Sequence, residues 1–114
     1  DYKTGKPRTR AQISGETKSS DGSYKRQLIF YGLLLDRFDS GKFKMATGQI
    51  DFVEPDTNEK YHSETFEISK ENKKELEEQI KEVAHEIREL TFWDKTCGDK
   101  DCKYCELRSS LYKQ

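Results

Sequence analysis

Apolar and polar residues follow one another with two different periods along this chain, and each period predicts an element. Residues 24–38 place Tyr24, Gln27, Leu28, Tyr31, Leu34, Leu35 and Phe38 at i, i+3, i+4 and i+7. Positions three and four apart share one helix face, so the stretch predicts an α-helix. Ser23 or Asp21 can cap it. Ile29, Phe30 and Leu33 carry the apolar surface around its side, which predicts a central helix buried on more than one side. Residues 45–54 alternate instead, Gly48, Ile50 and Phe52 against Gln49, Asp51 and Val53. Residues 60–68 alternate again, Tyr61, Ser63 and Thr65 against His62, Glu64, Phe66 and Ile68. A period of two predicts strands, and the turn-rich Glu54-Pro55-Asp56-Thr57-Asn58-Glu59 between them makes a hairpin with a short turn. From Ser69 to about Leu90 a long helix follows, with Ser69 as N-cap and Glu71 suited to its positive end. Leu76, Ile80, Val83, Ala84, Ile87 and Leu90 form one stripe on it, so it packs by one side only.

The ends are less regular. Residues 1–7 read as the end of a strand running into a loop at Gly5 and Pro7. Residues 8–23 are polar and read as a long mobile loop. Phe92 and Trp93 close the long helix, and Glu106–Tyr112 is a short amphipathic piece. The order predicts an α/β fold with part of a mixed sheet, a buried helix and a long amphipathic helix. Residues 1–92 form the α/β portion of a single partial domain, and residues 93–114 a cysteine-containing tail.

Composition narrows this picture. Of 114 residues, 32% are hydrophobic and 38% charged, against about 25% charged in an ordinary domain, so the core is thin. No apolar run approaches the roughly 20 residues of a membrane span, and no signal peptide is visible. The chain starts at Asp1, which reads as an internal or C-terminal piece of something longer. Net charge is −1 but unevenly spread: +5 over residues 1–44, −7 over 45–92 and +1 over 93–114. The N-terminal third is therefore the part suited to face an anion. Three cysteines at 97, 102 and 105 cannot all pair, which points to a reducing, cytoplasmic setting and a metal or structural role.

Three constellations can carry chemistry. Asp1 and Lys3 sit two apart on the strand end, so both project to one side. A carboxylate there can hold Mg²⁺ or Mn²⁺ through oxygen. The ammonium beside it can orient a water or offset phosphate charge. Gln27 and Tyr31 lie one helical turn apart and, set among apolar residues, need polar partners. Cys97-x4-Cys102-x2-Cys105 has metal-ligand spacing, with His62, His85 or Asp99 as candidate fourth ligands. Free thiols, zinc or an iron–sulfur cluster all remain open for it. His62 and His85 are otherwise surface or packing residues.

The strand end D-Y-K-T-G, a polar loop, Q-x-x-x-Y in an apolar helix and the strand M-A-T-G-Q-I-D-F-V-E together resemble the RecB-like branch of the PD-(D/E)XK nuclease superfamily. The resemblance runs from Asp1 to about Cys105 and implies a restriction-endonuclease-like fold. It implies that Asp1 is a metal-binding acid and Lys3 a catalytic lysine, that Tyr2 offers a backbone carbonyl, and that Gln27 and Tyr31 order the site and the DNA. The family's earlier metal-binding Asp is not among these residues, so this portion alone is expected to be inactive. Some members carry an iron–sulfur cluster on one early and three late cysteines. Here no early Cys is present and position 111 is Leu.

The resulting expectation is a Mg²⁺- or Mn²⁺-dependent DNA exonuclease domain, joined to a helicase of the same or a partner chain and acting in repair or recombination. Lys6, Arg8, Arg10, Lys25 and Arg26 would contact phosphates. The rival readings are a non-catalytic nucleic-acid or helicase-interaction module and a zinc-stabilised adaptor. Any homo-oligomer seen for this portion is to be doubted, because an exposed sheet edge can associate adventitiously.

Overall fold

A computed structural model describes residues 1–93, 95–99 and 101–111. The chain divides into two compact units, Asp1–Ile80 and Lys81–Gln114.

The first unit is built on a three-stranded sheet. Strand β1 is Tyr2–Lys3, β2 is Thr47–Phe52 and β3 is Ser63–Glu67, in the spatial order β1-β2-β3. β1 runs parallel to β2, with Tyr2 opposite Asp51 and Lys3 opposite Phe52. β2 and β3 are antiparallel, with Gly48 opposite Phe66. The sheet is therefore mixed, as expected. The alternation works as written in the sequence: Gly48, Ile50, Phe52 and Phe66 are buried, while Gln49 and Thr65 are exposed. The connection between β2 and β3 is longer than a short turn, spanning residues 53–62. Asp56 organises it by accepting from the N–H groups of Asn58 (2.8 Å) and Lys60 (3.0 Å) and meeting His62 Nε2 at 2.7 Å. The His62 hydrogen bond, then those two backbone bonds, hold the Asp56 carboxyl below the usual carboxylate range.

Residues 8–23 are not a featureless loop. A short helix, α1, covers Arg10–Ser14. Thr9 and Gln12 form a reciprocal capping box at its start, and Gly15 ends it in the left-handed region at φ 81°. The reason for this helix is Ile13, which is 1% exposed and belongs to the core.

Helix α2 spans Ser23–Arg37. Its N-cap is Gly22 in the left-handed conformation, with no side-chain cap, so neither Ser23 nor Asp21 takes the N-cap place. Asp21 acts just outside it, accepting from the Ser23 N–H at 3.0 Å. That bond is the main cause of a lowered Asp21 pKa. α2 lies on the sheet through Leu28, with Tyr24 and Ile29 flanking. It is not buried all round: Phe30, Tyr31 and Leu34 are exposed, as is Phe38 just past its end. The sheet covers one side of α2, and residues 70–80 meet another side through Lys73 at Asp36 and Glu77 at Arg37, while these aromatic and leucine side chains stay exposed.

Helix α3 spans Lys70–Glu89 and starts as expected. The Ser69 hydroxyl accepts from the Asn72 N–H, and Asn72 Oδ1 accepts from the Ser69 N–H. Its stripe is mostly uncovered. Leu76 is buried at 7%, whereas Ile80, Val83, Ile87 and Leu90 are all more than 40% exposed. The charged Lys73 is instead buried, its ammonium 2.6 Å from Asp36 Oδ2. The Asp36 carboxyl is held below its ordinary range, first by the Lys73 hydrogen bond and further by Lys44.

In the second unit, Leu90 ends α3 in the left-handed region at φ 56°, and the Thr91 N–H donates to Glu86 O. Phe92 and Trp93 follow as an edge-to-face pair. Helix α4 covers Lys103–Leu111, beginning before Glu106. Tyr112, the expected end of that piece, lies outside the described residues.

Candidate active site and cysteine cluster

Asp1 and Lys3 flank Tyr2 and share the strand face that α2 covers, since Lys3 is in register with the buried Phe52. β2 holds them there: the Asp51 N–H donates to Asp1 O (2.9 Å) and the Val53 N–H to Lys3 O (3.0 Å). The Lys3 ammonium lies 2.8 Å from Asp1 Oδ2, and the two side chains are 16% and 18% exposed. The same ammonium donates to Gln27 Oε1. Gln27 Nε2 in turn donates to the Tyr31 hydroxyl at 2.6 Å.

The chemistry of the groups orients this chain. An ammonium only donates, so Gln27 presents its carbonyl to Lys3 and its amide nitrogen to Tyr31. The Tyr31 oxygen is thus an acceptor within the chain, and its own O–H can donate outward. Tyr31 is 37% exposed, enough to meet a ligand. All four residues singled out as Asp1, Lys3, Gln27 and Tyr31 are brought into one contiguous network.

One neighbour was not singled out in the sequence. The Lys3 ammonium lies 4.6 Å from the centre of the Tyr24 ring, and the Arg8 guanidinium lies 4.5 Å from that same centre. Tyr24 sits one turn before Gln27 and Leu28, so the helix face already marked it, but only as an apolar position. Its ring also touches Phe52, with centres 6.3 Å apart.

The other basic candidates are dispersed. Arg10 is committed to β3, donating to Thr65 O (2.8 Å) and to Glu64 Oε2 (3.1 Å), with its guanidinium over the Phe66 ring. The Lys25 ammonium approaches that ring at 5.9 Å. Arg26 donates to Asp21 O at 2.6 Å. Lys25 and Arg26 line a hollow of about 260 Å³ together with Ser14, Asn72 and the acidic Glu75. Lys6 is exposed on the loop after Gly5, whose N–H is held by Glu54. Arg8 is the one placed against the Tyr24 ring.

A carboxylate of the Asp1 type suits Mg²⁺ or Mn²⁺, which take hard oxygen ligands. The number of donors does not suffice. Among the described residues no group of three ligating side chains gathers around Asp1.

The cysteines converge. Cys97, Cys102 and Cys105 place their sulfurs within 4.8 Å of one another, with Cys97 and Cys105 at 3.5 Å. All are free thiols. Neither His62, His85 nor Asp99 joins this group, and His62 is already engaged by Asp56. Backbone N–H groups, first that of Cys105, favour the Cys102 thiolate and lower its pKa. At Cys97 the Asp99 N–H pulls the same way but is outweighed by the neighbouring Cys102 and Cys105 sulfurs, and the thiol is pushed up.

A mixed α/β unit with an acid and a lysine two apart on an edge strand, facing a glutamine–tyrosine pair on the covering helix, has the architecture of a nuclease domain. The profile of the PD-(D/E)XK nuclease superfamily matches residues 1–110, and the chain belongs to that superfamily. Its sheet and helices are consistent with a restriction-endonuclease-like fold. No curated protein and no solved structure matches the chain. None of the described helices is long and apolar enough to cross a membrane.

Proposed function

We propose that residues 1–114 form part of a RecB-like exonuclease domain that hydrolyses DNA phosphodiesters. The observation that carries this reading is Lys3, held between the Asp1 carboxylate and the Gln27 carbonyl on the covered face of the sheet. In the reaction, water attacks phosphorus, the P–O bond to the leaving nucleotide breaks, and charge builds on the phosphoryl oxygens. Lys3 is the group placed to offset that charge. Gln27 and Tyr24 hold its ammonium still, and the Tyr31 O–H is oriented to donate to a phosphate oxygen. Arg8 adds a second positive charge beside the Tyr24 ring. Asp1 contributes one carboxylate, with the Tyr2 backbone carbonyl beside it, to a Mg²⁺ or Mn²⁺ site that needs further oxygen ligands.

Lys6, Arg8, Lys25 and Arg26 extend the phosphate contacts, with Arg10 acting chiefly to tie α1 to β3. Each phosphate neutralised adds about −0.9 to the slope of log affinity against log salt on duplex DNA. The setting we infer is a cytoplasmic helicase–nuclease of DNA repair, with the helicase in the same or a partner chain.

The test uses the whole protein that contains this chain, with end-labelled DNA and Mg²⁺ or Mn²⁺, wild type beside Lys3→Ala. Cleavage by the wild type and none by the variant, at equal DNA binding, is expected. Equal cleavage by the two overturns the reading. One observation favours a non-catalytic DNA-binding module instead: the Lys3 ammonium is already matched by Asp1, and no group of three ligating side chains forms around Asp1 among the described residues. DNA binding without cleavage by the whole wild-type protein selects that alternative.

A further inference from the structure

Among the described residues, the unit Lys81–Gln114 contains no buried hydrophobic side chain. Every buried hydrophobic residue among those described lies between Ile13 and Leu76, in the other unit. Within this unit Val83, Ile87, Leu90, Trp93, Tyr104, Leu107 and Leu111 are exposed. Units below about 40 residues that lack a core are ordinarily stabilised by disulfides, metals or association. Its three cysteines are free thiols, so no disulfide serves here.

What the unit does have is a set of sulfurs brought to one point. Gly98, at φ 76°, turns the chain back after Cys97. Asp99 then fixes the turn, accepting from the Asp101 N–H at its side chain and from the Cys102 N–H at its carbonyl. Cys102 immediately precedes α4, and its carbonyl accepts from the Glu106 N–H. Cys105 follows on the first turn of α4. Two sulfurs bound to one tetrahedral zinc at about 2.3 Å stand about 3.8 Å apart. The Cys97–Cys105 separation of 3.5 Å is close to that edge, and the third sulfur is within 4.8 Å of both. A [4Fe–4S] cluster uses four cysteines, one on each iron, and spreads their sulfurs around a cube. Here three sulfurs lie within 4.8 Å of one another.

We propose that Cys97, Cys102 and Cys105 bind one zinc ion, and that this ion is the staple of the C-terminal unit. Zn²⁺ forms three Zn–S bonds, each thiol loses its proton to solvent, and no electron is transferred. Water or a further ligand takes the fourth tetrahedral position. The role is structural: it closes the Cys97–Cys105 turn and fixes the start of α4.

The experiment measures metal content of the chain purified without added metal, then titrates Co²⁺ into the metal-free protein. One zinc per chain is expected, and cobalt should give the visible bands of tetrahedral thiolate coordination. Alkylation of the metal-free chain should label all three cysteines, and zinc should protect all three together, read residue by residue by mass spectrometry. Chelation should collapse amide dispersion for residues 81–111 while leaving residues 1–80 folded. Cys102→Ser should lose stoichiometric zinc. Alkylation protection in the wild type decides the matter where that variant fails to fold. Iron with acid-labile sulfide in the purified chain overturns the proposal. So does full labelling of the three thiols in the presence of excess zinc.

Discussion

Replacing Gly48 by alanine should push α2 off the sheet and loosen the frame that brings Gln27 to Lys3. A Cβ at Gly48 would stand 2.7 Å from Met45 Cε, 3.1 Å from Leu28 Cδ2 and 3.2 Å from Leu28 Cβ. Relaxed carbon contacts are about 3.5–4.0 Å. The Met45 methyl is the free end of a flexible side chain and can swing away. Leu28 cannot do the same, because it is 2% exposed and its Cβ moves only with the helix backbone. Relief therefore requires α2 to shift by a few tenths of an ångström. Overpacking of this kind costs about 1–3 kcal/mol. Alanine recovers about 0.4–1 kcal/mol by restricting the unfolded chain, since the Gly48 backbone is not left-handed. The net loss is about 1–2 kcal/mol, or a fall in Tm of roughly 5–15 °C for a unit of this size. Urea and thermal unfolding of wild type and variant measure it. Gly32→Ala is the control, because its new Cβ meets atoms no closer than 3.2 Å and beyond the Cβ of their side chains, Ile68 Cγ2 at 3.2 Å, Lys73 Cδ at 3.3 Å and Met45 Sδ at 3.6 Å. Its clash is also offset by up to about 1 kcal/mol of helix propensity. Gly48→Ala as stable as wild type, or a larger loss in Gly32→Ala, would refute the packing argument.

Further consequences concern charge, capping and the site. The lowered Asp36 pKa means that the folded state binds a proton there less readily than the unfolded chain. Its contribution is complete above the ordinary carboxylate value of about 4 and is lost as pH falls below it. Urea midpoints between pH 2 and 6 should therefore fall more steeply on the acid side in wild type than in Asp36→Asn, and parallel curves would contradict this. Leu90→Gly should stabilise the end of α3 by about 1 kcal/mol, because a left-handed leucine is strained and glycine is not. Circular dichroism melts test it, and a lower Tm would contradict it. Gln27→Leu should leave the fold intact while lowering any Lys3-dependent cleavage, because the ammonium loses its carbonyl partner. Unchanged cleavage rates would show that Gln27 does not position Lys3.

Much of the local structure was legible in residue order. Period-two and period-3.6 patterns located β2, β3, α2 and α3 to within a few residues, because those periods are properties of the backbone itself. The pairs Asp1–Lys3 and Gln27–Tyr31 were legible for the same reason, each lying on one face of one element. The Thr9–Gln12 capping box was also present in the sequence, but with Ile13 as its single buried residue α1 carried no periodicity to reveal it. What residue order could not settle was which faces meet. The stripe of α3 and the apolar surround of α2 read as buried, yet Ile80, Val83, Ile87 and Leu90 on the first and Phe30, Tyr31 and Leu34 on the second are exposed, while a lysine, Lys73, is buried because Asp36 stands opposite it. The contact of Lys3 with Gln27 crosses from strand to helix, and the approach of Arg8 to Tyr24 depends on how the loop returns. Such contacts depend on the register of the sheet and the seating of a helix upon it. Both are set by the summed packing of Ile13, Leu28, Ile50, Phe52, Phe66 and Ile68 rather than by any one segment.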